Sequence, residues 1–129
     1  MSANKPKILV IDDDQAVVSF ITAKLGRDFD VTGTTDPRNA VMMARAEAPD
    51  VILCDINMPG MKGDEVALAL AEDGATGRIP LIYLSSLLPP GQVEALDGPF
   101  GGHTGVSKRA SADQLLDAIR GVLGLNPPG

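Results

Sequence analysis

Tryptophan is absent from this chain, tyrosine occurs once and phenylalanine three times. The aromatic platforms on which single-stranded nucleic acids stack are therefore missing. Basic charge is scarce as well. Eleven Lys and Arg stand against 17 Asp and Glu, a net charge of -6, which argues against a direct nucleic-acid partner because phosphate contacts need a basic footprint. Cys54, the one cysteine, has no partner for an internal disulfide, in agreement with a reducing compartment. No apolar run approaches the roughly 20 residues of a membrane helix. The polar lead from Met1 to Lys7 lacks the apolar core of a signal peptide, so a cytoplasmic location and no membrane association are expected.

What is present is one domain's worth of chain, 129 residues, 44% apolar and 22% charged. Lys7 to Asp12 reads as a first strand, continuously apolar as in parallel strands covered on both faces. Asp14 is placed to cap a helix whose Val17, Ile21 and Leu25 face the core, with Gly26 as its stop. Phe29 to Thr34 forms a second strand. Asp36-Pro37 then opens a helix with Ala40, Val41, Ala44 and Ala48 as its buried stripe, ended by Pro49. Val51 to Cys54 is the third strand, closing on Asp55, after which Asn57, Pro59 and Gly60 break the chain into a loop. Asp64-Glu65 supplies the negative first turn of a helix with Val66, Ala69 and Leu70 inward. Pro80 to Leu84 is strand four, ending at Ser85-Ser86. Gln92 to Leu96 has room for a turn or two of helix between Pro89-Pro90-Gly91 and Gly98-Pro99. Thr104 to Ser107 is a fifth strand leading to Lys108. Ser111 to Gln114 matches a capping box for a last helix with Leu115, Ile119, Val122 and Leu123 on its apolar face. Five βα units in alternation predict a single three-layer α/β domain with a parallel sheet and helices on both faces.

Parallel strands present their carboxyl ends on one edge, where open α/β sheets bind ligands. Here those ends carry Asp12-Asp13, Asp55, Ser85 and Lys108, and only the second strand lacks such a group. Three gathered carboxylates repel unless a cation binds or one takes up a proton. Hard oxygen ligands suit Mg²⁺. Carboxylates with a divalent ion, a hydroxyl and an ammonium make a site for a transient phosphoryl group.

Ile8-Leu9-Val10-Ile11-Asp12-Asp13-Asp14, Asp50 to Gly60, Leu84-Ser85-Ser86 and Ser107-Lys108 occur in the order and spacing of a known family. On these motifs the chain resembles the CheY-like receiver domain of two-component response regulators, from about Lys7 to Leu125. The resemblance implies a flavodoxin-like (βα)5 fold with strand order 2-1-3-4-5, a receiver over residues 7–125, a polar lead over 1–6, and a tail or linker start over 126–129. It implies that Asp55 accepts a phosphoryl group from a histidine kinase or phosphotransfer protein. Asp12 and Asp13 would hold Mg²⁺ together with Asp55 and the backbone carbonyl of Asn57. Ser85 would turn toward the phosphoryl group and Lys108 pair with it, while Ser86 is the neighbouring small residue that leaves access. The domain would act as a signalling switch on an unidentified downstream effector, catalysing at most its own phosphoryl transfer and slow dephosphorylation.

The sequence departs from that family at two places. Arg109 stands where a proline, often preceded by a cis peptide, usually follows the lysine. A cis bond before a non-proline residue costs about 2.5–4 kcal/mol, so a trans bond is expected. Gly105 stands where a switch aromatic is common, which turns attention to residues 87–102 as the readout. Three other readings compete. A pseudo-receiver would bind a partner without phosphorylation. An aspartyl-intermediate phosphatase would want an acid at Asn57, and a flavodoxin would want a phosphate-cradling loop where Asp12, Asp13 and Asp14 stand. Cys54 and Tyr83 read as core, His103 as a loop residue and Asp14 as a cap. Met42, Met43, Met58 and Met61 need no special role, and Lys62 replaces a common acidic cap.

Overall fold

Each of the continuously apolar runs becomes a strand buried on both faces. The computed structural model describes residues 5–86, 93–95, 104–108 and 110–124. Within them lie β1 (Lys7–Ile11), β2 (Asp30–Thr34), β3 (Val51–Asp55), β4 (Leu81–Ser85), β5 (Val93–Ala95) and β6 (Thr104–Ser107). They form one sheet in the order β2-β1-β3-β4-β6-β5. All neighbours pair in parallel except β5, which is antiparallel to β6. Leaving β5 aside, the five parallel strands have the expected 2-1-3-4-5 order.

Among the described residues four helices cover the sheet: α1 (Gln15–Leu25), α2 (Ala40–Glu47), α3 (Gly63–Glu72) and α4 (Ala112–Leu123). Strand residues alternate between two cores. Val10, Leu53, Leu84 and Val106 meet Ile21 of α1 and Ile119 of α4 on one face. Leu9, Ile52, Cys54 and Tyr83 meet Ala44 of α2 and Val66 of α3 on the other. Each fully buried Leu, Ile or Val stabilises the fold by about 1.5–3 kcal/mol, so a helix slipped by one register would forfeit several such contributions. No helix among the described residues is long and apolar enough to cross a membrane.

The caps follow the sequence signals. Asp14 accepts from the Ala16 N–H at 2.9 Å. Asp36 accepts from the Arg38 N–H at 3.0 Å, although Pro37–Asn39 forms a 3-10 turn before α2 begins. The capping box at α4 is complete, with Ser111 N–H to Gln114 at 2.8 Å and Gln114 N–H to Ser111 at 3.2 Å. At α3, where Lys62 has no acceptor to offer, Glu65 reaches back to the Lys62 N–H at 2.9 Å.

Val17 packs partly buried against the first core, as expected, and Val18 beside it is buried at 7% exposure. Two expectations are corrected. Ala48 is exposed and outside the stripe of α2; it takes a left-handed conformation, φ 46°, because Pro49 cannot continue the helix. Val93–Ala95 is a strand and not part of a helix. Short helices are marginal in water, whereas the edge of β6 offers unpaired backbone groups that a ladder satisfies. The rest of 87–103, including His103, lies outside the described residues, as do Arg109 and the tail after Gly124.

Candidate functional site

The sheet register assembles the site. Ile11 pairs with Cys54, Asp55 with Leu84, and Ser85 with Ser107. The residues that follow β1, end β3 and follow β6 therefore reach the same edge. Lys108 is tied there by its N–H, which donates to the Ser85 carbonyl at 2.9 Å.

The Lys108 ammonium lies 3.0 Å from Asp12 Oδ2 and 3.1 Å from Asp55 Oδ1, bridging two strand ends. Asp12 is fully buried and Asp55 is 4% exposed, whereas Asp13 faces solvent. Asp12, Asp13 and Asp55 each offer a carboxylate oxygen, and these oxygens lie within 4.8 Å of one another. Burial pushes the Asp55 carboxyl above its usual value. Lys108 opposes that shift, the negative charge of Asp12 adds to it, and the net direction is upward. For Lys108, burial alone would lower the pKa; hydrogen bonds and attraction from Asp12 and Asp55 outweigh it and hold the ammonium charged.

Asp12 Oδ1 accepts from the Asp14 N–H at 2.9 Å, and Asp55 Oδ1 from the Asn57 N–H at 3.4 Å. Asp55 Oδ2 is buried and accepts no hydrogen bond from any described group. An orphaned carboxylate oxygen beside two further carboxylates fits a hard divalent cation such as Mg²⁺.

The loop after β3 is held against the site by Gly63. Its N–H donates to the Ile56 carbonyl at 2.8 Å, and a Cβ there would lie 2.5 Å from the Asp55 carbonyl oxygen and 2.9 Å from the Ile56 Cα. Only glycine permits this approach, which seats the start of α3 directly on the backbone of Asp55. Gly60, at φ 83°, makes the turn. Cys54 donates its thiol to the Asp55 carbonyl at 3.3 Å. Burial, with the nearby charges of Asp55 and Asp12, pushes its pKa up, so it acts as a packing residue.

The structure thus brings Asp12, Asp13, Asp55 and Lys108 together, with buried Ser85 ending the adjacent strand and Asn57 in the loop beside them. Tyr83 and Met58 are core residues. Sequence reasoning did not find the double pairing of Lys108, the contact made by Gly63, or the buried Ser107 directly across from Ser85. For Gly63 the signal was available: a glycine three residues beyond Gly60 at the mouth of a helix, where a better helix former would otherwise stand.

Residues 8–120 match the family model for the response regulator receiver domain. The chain is 34% identical over 113 residues to the response regulator PleD of Caulobacter vibrioides, covering 87% of this chain and 24% of PleD. It therefore spans about a quarter of that relative's length. It is 30% identical over 122 residues to the protein PilH of Pseudomonas aeruginosa, covering 91% of this chain and 97% of PilH. The receiver domain of a sensor histidine kinase from Pseudomonas aeruginosa PAO1, solved with a magnesium ion coordinated in its active-site cleft, superposes with a TM-score of 0.78. That alignment covers 94% of this chain and 99% of the other at 22% identity, a shared fold.

Proposed function

Because the chain belongs to the receiver-domain family of two-component response regulators, domains capable of aspartate phosphorylation, we propose that Asp55 is the acceptor in this member. The observation that carries the reading is a buried carboxylate at the end of β3, 3.1 Å from a lysine that also holds Asp12, inside a cluster of three acids. In the proposed step an Asp55 carboxylate oxygen forms a bond to phosphorus as the phosphorus–nitrogen bond of a donor phosphohistidine breaks. The bonding pair returns to the imidazole nitrogen. Lys108 then exchanges one carboxylate partner for phosphoryl oxygens, and Ser85 turns its hydroxyl toward the same group. The domain carries out its own phosphoryl transfer and is not a turnover enzyme.

Asp12, Asp13 and Asp55, with the Asn57 carbonyl, would hold Mg²⁺. When bound, the ion supplies positive charge to phosphoryl oxygens that the aspartates alone repel. Asp12 and Lys108 orient the acceptor, and the Asn57 N–H steadies Oδ1.

The donor in this reading is a histidine kinase or phosphotransfer protein. Support comes from the surface beside the acidic edge. Val17, Phe20, Leu84, Lys108, Ala110 and Leu115 are among the residues lining a largely apolar cavity of about 240 Å³, and Phe20 remains 44% exposed at its side. A downstream effector, a cytoplasmic location and a receiver spanning residues 7–125 belong to the same proposal. Binding a partner without phosphorylation, as a pseudo-receiver would, leaves the charged cluster without a task.

Incubation with Mg²⁺ and a small acyl phosphate, followed by intact-mass measurement, tests the proposal. One phosphoryl adduct is expected in the wild type and none in Asp55→Asn. No adduct, or an adduct that persists in the variant, would sink it.

A further inference from the structure

Asp14 stands between the acidic edge and the first helix and is bonded to both. Its N–H donates to Asp12 Oδ1 at 2.9 Å, and its own Oδ1 accepts from the Ala16 N–H at 2.9 Å. Two consecutive Asx turns result, one closed on the site and one on the helix. The Asp14 carbonyl accepts from the N–H groups of Val17 at 3.0 Å and Val18 at 3.3 Å, and its backbone is extended at φ -94° and ψ 110°, as an N-cap requires. Upstream, the Asp12 N–H donates to the Thr34 carbonyl of β2 at 3.2 Å. Downstream, Val18, Ile21 and Leu25 seat α1 in the core. Exposed Asp13, whose carboxylate belongs to the cluster, is thus a single residue between two anchored ones. The same cluster contains Asp55 Oδ2, a buried oxygen that accepts no hydrogen bond from any described group.

We infer that Asp14 is a positioning residue for the Mg²⁺ ligands Asp12 and Asp13, a role that rests on the reading of those acids as the metal site. Asp14 does not touch the ion. Its carboxylate keeps the first turn of α1 from fraying, and that turn holds the Asp14 N–H against Asp12 Oδ1. Without the cap the 12–14 turn is ordered for a smaller fraction of the time. The ion binds only the ordered fraction, so its apparent Kd rises as that fraction falls. One N-cap is worth about fivefold in such a population, which sets the upper limit of the effect.

Calorimetric titration with Mg²⁺ alone tests this on the whole chain, for the wild type, Asp14→Ala, Asp14→Asn and Thr76→Val, with thermal melts in a chelator alongside. Alanine and asparagine remove the same charge, but only asparagine can cap. The Kd of Asp14→Ala should therefore be about threefold higher than that of Asp14→Asn. Thr76→Val is the control for a general loss of stability. It removes the hydroxyl that donates to the Leu70 carbonyl at 2.7 Å, at the end of α3 remote from the acidic edge. It should lower Tm and leave the Kd at the wild-type value. Asp14→Val, which also lacks a capping oxygen, stands in should the alanine variant not fold. Equal Kd values in Asp14→Ala and Asp14→Asn, or the same weakening in Thr76→Val, would overturn the inference. A wild type that takes up no Mg²⁺ would overturn the metal reading as well; a wild type that binds it, with the two Asp14 variants alike, overturns the positioning role alone.

Discussion

Removing the Asp55 carboxylate should make the metal-free domain more stable. Asp55 Oδ1 lies 3.1 Å from Lys108, an attraction of about 5 kcal/mol at an effective dielectric of about 20. Its repulsions with Asp12 and Asp13, within 4.8 Å, are about 3.5 kcal/mol each at the same dielectric. Repulsion therefore exceeds attraction by about 2 kcal/mol, and burial of the charge adds to the excess. Solvent around exposed Asp13 screens part of this, leaving about 1–2 kcal/mol for Asp55→Asn to recover, a rise in Tm of about 5 °C. Lys108 keeps Asp12 as its partner in the variant.

The pH dependence follows from the raised pKa of Asp55. The folded state binds this proton more readily than the unfolded chain, so the wild type gains stability as pH falls through the folded-state pKa and loses it as pH rises. The advantage of Asp55→Asn should be complete at neutral pH and shrink toward about pH 4, the unperturbed carboxylate range. Thermal unfolding in a chelator at low ionic strength measures both effects. A variant no more stable than the wild type at neutral pH, or a gap that widens on acidification, would refute the reasoning. Adding Mg²⁺ at about ten times its Kd should return about 1.4 kcal/mol to the wild type and less to the variant.

Lys108→Ala should have the opposite sign, destabilising the metal-free domain by about 3 kcal/mol because it leaves Asp12 and Asp55 buried beside each other without a cation. Mg²⁺ should restore part of that loss in a denaturant melt. Gly63→Ala should cost about 1–3 kcal/mol, since its Cβ would sit 2.5 Å from the Asp55 carbonyl oxygen. It should also slow phosphoryl incorporation at Asp55; a variant with wild-type stability and rate would show that the loop relaxes freely.

Most of the architecture could be read from short-range pattern. The runs Ile8 to Ile11, Val51 to Cys54 and Leu81 to Leu84 are apolar without alternation, and that is the signature of strands covered on both faces. Asp14, Asp36 and Ser111 announce helix starts through local hydrogen bonds that the structure contains. Where the reading failed, the deciding contact was distant. Val93–Ala95 became a strand because β6 offered an edge, and no window around it in the sequence contains that edge. Ala48 fitted a helical stripe by spacing, yet the helix stops one residue earlier on account of Pro49.

By itself the sequence determined which residues end each strand, because strand ends are set by where an apolar run meets a carboxylate, a serine or a lysine. In a parallel sheet that sets Asp12, Asp13, Asp55, Ser85 and Lys108 on one edge. Only the tertiary structure decided how those groups share charge. Register and side-chain reach placed one ammonium between Asp12 and Asp55, left Asp55 Oδ2 without a hydrogen bond from any described group, seated Gly63 on the backbone of Asp55 and set Ser107 across from Ser85. These are distances between residues far apart in the chain. They follow from how the strands and helices pack and not from the order in which they occur.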